Sequence, residues 1–143
     1  MAAIDDVRNA SKQFYAALNS MANGDAKPMS DIWAHSRDVT TMHPIGGRQV
    51  GWDQVRGPWE EVAKLASKGK IALNDQLIQV SGTLAYKTGN ESGQFTFAGH
   101  QVSIGHRVTN VYRQDAGKWK IVHHHTDISP AMLDILREVQ SKP

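Results

Sequence analysis

Cysteine is absent from the 143-residue chain. That removes disulfides, thiolate chemistry and cysteine-based zinc sites from consideration. Net charge is small: 16 Lys and Arg stand against 14 Asp and Glu, a formal +2. These cations are scattered along the chain rather than clustered, so no nucleic-acid surface is expected. No apolar run approaches the roughly 18 residues that a membrane span needs. The start, Met1-Ala2-Ala3-Ile4-Asp5-Asp6, lacks a basic segment followed by an apolar one. No secretory leader is read there, and a cytoplasmic protein is expected. Hydrophobic content of 40% and charged content of 21% are those of an ordinary soluble domain, and residues 1–143 suffice for one domain around one core.

What the chain does have is a histidine run inside its last strand-like segment, Trp119-Lys120-Ile121-Val122-His123-His124-His125-Thr126-Asp127. A strand turns successive side chains to opposite faces. Strict alternation would put Trp119, Ile121, His123, His125 and Asp127 on one face and Lys120, Val122, His124 and Thr126 on the other.

Upstream, Ile4, Val7, Ser11, Phe14, Leu18 and Met21 recur at three- and four-residue steps, which predicts an amphipathic helix over Ile4–Ala22 ended at Asn23-Gly24. Pro28 opens a short helix to about Trp33. Asp38 to His43 reads as a strand stopped by Pro44 and a Gly46-Gly47 turn. A third helix is predicted over Asp53–Lys68, with Val55, Trp59, Val62 and Leu65 on one side. From Lys70 the period becomes two: Ile71–Val80, Thr83–Thr88, Phe95–Arg113 and Lys118–Asp127 read as strands. Ser129-Pro130 then starts a final helix carrying Met132, Ile135, Leu136 and Val139. Helices followed by hairpin-linked strands indicate an α+β domain with an antiparallel sheet.

Several stretches carry a family likeness: Phe14-Tyr15-Ala16-Ala17-Leu18-Asn19 before Gly24-Asp25, Val39-Thr40-Thr41-Met42-His43-Pro44-Ile45-Gly46, and Arg107 to Arg113 with Gly117-Lys118 and the histidine segment. In order and spacing, over roughly residues 4 to 128, they resemble the nuclear transport factor 2-like superfamily, in its SnoaL-like and ketosteroid-isomerase-like branches. The last hairpin also resembles the association domain of calcium/calmodulin-dependent kinases. The resemblance implies a conical, cystatin-like α+β fold with a curved antiparallel sheet wrapped on three N-terminal helices, plus a C-terminal helix. It also implies a homodimer joined by the outer sheet face, including Trp119, Ile121 and His123. In the isomerases an aspartate base precedes the proline of the strand-turn, and that position is His43. Their tyrosine donor falls on Phe14, beside Tyr15, and their protonated aspartate falls on Thr109. Steroid isomerisation as such is therefore not expected.

The isomerase register places Arg107, Thr109 and Val111, and Val122, His124 and Thr126, inside the cone. His43 and His124 become the acid/base candidates, because imidazole titrates near neutral pH. Arg107 becomes an anion anchor, and Thr109 and Thr126 become hydrogen-bond donors. The plainer reading makes His124 a wall residue and His43 a partner of its own turn. Phe14, Tyr15, Leu18, Trp33, Trp52, Trp59 and Tyr86 are candidates for the lining of an apolar pocket. Glu91, beside Gly89-Asn90, reads as a solvated turn residue, and Asp31 as a possible orienting partner of His43. His123 and His125 have His-x-His spacing, but zinc would need a third ligand such as His106 or His100, and no metal or other cofactor is expected. Two functions fit. One is a small-molecule enzyme of isomerase, dehydratase or cyclase type, acting on an apolar oxygenated molecule. The other is a non-catalytic ligand-binding or oligomerising domain.

Overall fold

The computed structural model describes residues 3–141; Met1 and Ala2, part of the segment read for a leader, lie outside them. Three helices come first: α1 (Ala3–Met21), α2 (Lys27–Ile32) and α3 (Trp52–Leu65). Val7, Ser11, Phe14, Leu18 and Met21 are buried along one stripe of α1, the face that its three- and four-residue spacing predicts. Between α2 and α3 run two short strands, β1 (Thr40–His43) and β2 (Gly46–Val50). The turn falls on Pro44-Ile45, and Gly46-Gly47, read as a turn, opens the strand after it. β3 (Ala66–Ser81), β4 (Leu84–Phe97), β5 (His100–Asp115) and β6 (Lys118–Thr126) follow, then α4 (Pro130–Ser141). The six strands form one sheet in the order β2-β1-β6-β5-β4-β3. Every pairing is antiparallel except that of β1 with β6, which is parallel.

The helix read to Lys68 ends at Leu65, and β3 starts at Ala66, ahead of Ile71. Two further strand boundaries differ from the sequence reading, and glycine explains both. Gly89-Asn90 lies within β4, not in a turn, and Phe95–Arg113 is broken by a turn at Ala98-Gly99, where φ is 51° and 82°. A glycine inside a strand marks a bend or a close approach as readily as an end. Gly89 and Gly93 face β3 next to its two register shifts, at Ser67/Lys70 and Asn74/Leu77. Such bulges increase local twist and curl the sheet.

A further bulge, at Val122, decides which residues face the helices. Tyr112 pairs with Ile121 and Val111 with His123, so Val122 is the extra residue. The alternation of β6 reverses across it: Ile121, His124 and Thr126 are all buried, while His125 is exposed. Ile121 is thus a core residue in contact with Trp33, and Trp119 packs against the core beside it. Neither belongs to the outer row that strict alternation gave them.

Candidate functional site

A cavity of about 60 Å³ lies between the concave sheet face and helices α1, α3 and α4. It can hold only a few water molecules as it stands. Leu18, Met21, Val62, Phe95, Ile104 and Met132 make most of its wall apolar. The polar groups on the wall are His43, Glu91, His106, His124 and Thr126.

His124 follows the β6 bulge and points inward. Its Nδ1–H donates to Asn110 Oδ1 at 2.6 Å. The Asn110 amide is oriented in turn, because its Nδ2 donates to the Tyr112 hydroxyl at 3.3 Å. Nε2 is left as the basic nitrogen of the ring. Burial pushes His124 well below the ordinary imidazole range, and the neighbouring charges of His43, Lys87 and His106 push the same way. His43 ends β1, its ring edge-on to Trp59 at 4.6 Å and 5.9 Å from the His124 ring. Its Nε2 is 3.4 Å from Thr41 Oγ1, a long contact. Burial lowers His43 to about 4. Both rings are therefore neutral at pH 7, able to accept a proton and unwilling to keep it.

Next to them runs a buried chain of ionisable groups. Lys87 Nζ donates to the Tyr15 hydroxyl at 2.6 Å, and that hydroxyl donates to Glu91 Oε2 at 2.8 Å. His106 Nε2 donates to Glu91 Oε1 at 2.8 Å. Glu91 and His106 reach the cavity wall, while Lys87 lies fully buried against the rings of Phe14 and Tyr15. Desolvation lowers Lys87 to about 8, opposed by the charge of Glu91. Burial, reinforced by Glu91, raises Tyr15 far above the phenol range. Two polar atoms on the lining, Thr126 Oγ1 and Trp59 Nε1, are buried without a hydrogen-bond partner. Such atoms are costly to leave unpaired, and a ligand oxygen would satisfy them.

Of the residues singled out in the sequence, His43, His124, Thr126, Leu18 and Trp59 meet at this cavity, and Phe14 packs on the His124 ring at 5.2 Å. Tyr15 turns its hydroxyl to Glu91. Arg107, Thr109 and Val111 do not face the cavity. Asn110 pairs across the ladder with His124, and Thr109 with His125, so the inward row of β5 is His106, Val108, Asn110 and Tyr112. Direct cross-strand partners share a face, and a one-residue slip turns a whole strand inside out. Arg107 instead grips Asp127 on the outer face, at 2.9 and 3.1 Å, and anchors no cavity anion. Tyr86 is 44% exposed on that outer face. Trp52 stacks on His35 at 4.3 Å, Trp33 is sealed in the core, and Val122 is half-buried at the bulge, none of them on the cavity wall. Asp31 is exposed and meets Lys120 through its carbonyl oxygen at 2.7 Å, so it does not orient His43. His123 Nδ1 is taken by Thr40 Oγ1 at 2.6 Å. Among the described residues, no group of three or more His, Cys, Asp or Glu is placed to hold a metal ion.

Glu91 corrects the sequence reading most. It is 4% exposed in the middle of β4, not solvated in a turn. Lys87, Asn110 and Tyr112 were also missed as site residues, and His106 was weighed only as a zinc ligand. The alternation Val102, Ile104, His106, Val108, Asn110, Tyr112 carried the signal, since polar residues in an otherwise apolar inward row are buried by parity.

The comparisons with known proteins agree with this architecture. The family profile of the SnoaL-like domain matches residues 7–132. A candidate dehydratase of the nuclear transport factor 2-like family from Streptomyces avermitilis superposes with a TM-score of 0.76 at 25% identity, covering 87% of this chain and 94% of its own. A protein with a cystatin-like fold from Caulobacter vibrioides gives 0.72 at 16% identity, covering 96% and 97%. A candidate ketosteroid isomerase from Shewanella frigidimarina gives 0.66 at 22% identity, covering 83% and 92%. No curated protein matches the chain significantly. With the profile spanning most of α1, all of α2 and α3 and every strand, the chain belongs to the SnoaL-like domain family, on the cystatin-like fold of the nuclear transport factor 2-like superfamily.

Proposed function

We propose that the cavity is the active site of a small-molecule enzyme using general acid/base chemistry, of isomerase, dehydratase or cyclase type. The substrate is an apolar molecule bearing a carbonyl or hydroxyl oxygen. The observation that carries this reading is the meeting of two neutral imidazoles, His43 and His124, with the unpartnered Thr126 hydroxyl at one end of an apolar pocket. A neutral imidazole removes a proton beside a carbonyl, and a hydroxyl donor stabilises the oxyanion that forms. No Lys or Arg lines the cavity and the Glu91 carboxylate does, which favours an uncharged substrate over an anion.

Enolisable ketones incubated in deuterium oxide test this. The protein should catalyse exchange of the protons next to the carbonyl, and His124→Gln or His43→Asn should lower that rate by roughly 10²–10⁴-fold. If His43 is the base, its active form is the deprotonated one. The rate then falls as pH drops through about 4, not through the ordinary imidazole value. The small volume, about 60 Å³, favours the second reading, a non-catalytic binding or assembly domain. Ligand binding with no exchange on any ketone would decide for it. In either reading we infer a homodimer formed through the outer sheet face.

A further inference from the structure

Two neutral bases leave half of an elimination reaction unassigned, because a departing hydroxyl also needs a proton delivered to it. Of the three imidazoles on the cavity wall, one touches an anion. His106 Nε2 lies 2.8 Å from Glu91 Oε1, whereas His124 is held by the neutral amide of Asn110 and His43 by a long contact to a hydroxyl. An adjacent carboxylate balances the charge of a doubly protonated ring and fixes its orientation, leaving Nδ1 for a ligand. Both oxygens of Glu91 accept hydrogen bonds, one from His106 and one from Tyr15, and this suits the ionised carboxylate. The Tyr15 proton has one place to go, since its oxygen already accepts from Lys87. Buried ionic groups are weak contributors to stability, and apolar side chains of similar size would fill the same space as well. A carboxylate, an ammonium and an imidazole kept inside an apolar cone therefore call for another reason.

We propose that His106, held by Glu91, is the acid of this cavity, and that the reaction is the elimination of water from a small β-hydroxy ketone, with Tyr15 and Lys87 as positioning residues behind the carboxylate. This rests on the acid/base reading of the site given above. His124 or His43 takes the proton from the carbon next to the carbonyl, and the C–H electron pair becomes the new C=C bond. The C–O bond breaks with its pair on oxygen, and that oxygen takes the Nδ1 proton of His106 and leaves as water. The substrate divides into an enone and one water, and the two rings return to their starting states by exchange with solvent. The other charged or titratable groups acting on this region are His43 from β1, Tyr112 from β5, His123 and His124 from β6, and Asp127 just beyond it, whose charge is felt by His106.

The test uses two small probes: 4-hydroxybutan-2-one, and butan-2-one, which lacks the hydroxyl. Wild type should dehydrate the first and exchange the α-protons of the second in deuterium oxide. Glu91→Gln and His106→Gln should slow dehydration by roughly 10²–10⁴-fold and exchange much less, so the ratio of the two falls by at least about tenfold. A far-downfield imidazole N–H proton resonance, the signature of the His106–Glu91 bond, should vanish in Glu91→Gln and move in Tyr15→Phe and Lys87→Met. A merely structural role would lower both reactions together and leave the ratio unchanged, which overturns the proposal. It is also overturned if wild type exchanges butan-2-one but does not dehydrate the ketol, or if no downfield proton is lost in Glu91→Gln. Absence of exchange in wild type overturns the acid/base reading itself, and this assignment with it.

Discussion

His43 and His124 show how much a residue's surroundings change its chemistry. An imidazole chosen for titrating near neutrality is, once inside this cone, a group that resists protonation. The consequence reaches stability. The folded-state value of His43 is about 4 against 6.5 in the unfolded chain, so between those limits the unfolded chain binds more protons. The contribution is fully present above pH 6.5 and is lost as pH falls through about 4; His124, lowered by burial and its cationic neighbours, acts in the same direction. The shift of His43 corresponds to about 3 kcal/mol. Urea unfolding at stepped pH should show stability falling on acidification across that window, and His43→Asn should flatten the slope. An unchanged slope in the variant would show that the ring stays solvated in the folded state.

Among the elements, the β3–β4 hairpin does most to shape the site: the bulges of β3 bend the sheet, while the unbroken alternation of β4 puts Glu91 on the inward row with Lys87 and Phe95. Gly93 sits at that bend with φ +147°, and an added Cβ would lie 2.0 Å from Lys70 O and 2.9 Å from Ile71 Cα. Both contacts are backbone, so neither can swing away. Gly93→Ala should therefore destabilise the fold by about 2–4 kcal/mol in urea unfolding. A loss below about 1 kcal/mol would mean that β3 separates from β4 at little cost. Two residues away, Glu91 should lose its hold on His106 in the same variant.

At the scale of the whole molecule, the proposed homodimer would use the outer sheet face. Leu77, Leu84 and Tyr86 are 52%, 50% and 44% exposed there, and Tyr86 pairs with Val111, which pairs in turn with His123. An apolar patch of this kind marks an interaction surface. Light scattering should give twice the 15.8 kDa chain mass, and Leu84→Asp with Tyr86→Asp should return it to one chain. A wild-type mass of one chain would remove the dimer. Within a chain, no described helix is long and apolar enough to cross a membrane.

Local pattern determined much of this protein. The helix stripe of α1, the turns at Gly82 and Gly117, the order of helices before strands and the family likeness were all legible, because each depends on neighbours along the chain; of the stripe read on α3, Val55 and Trp59 are buried and Leu65 is exposed. The family likeness put His43 near a hollow, and of the aromatics offered for its lining Trp59 reaches it. The parity of β6 was not legible, because one extra residue at Val122 reverses the alternation and nothing in Ile121-Val122-His123 announces it. Only the ladder, pairing His124 with Asn110 and not with Thr109, decided which polar row faces the helices. Only the curl of β3 against β4 brought Glu91 to Tyr15, 76 residues away in sequence, and to His106. Contacts between distant segments are set by register and curvature, and those belong to the assembled sheet.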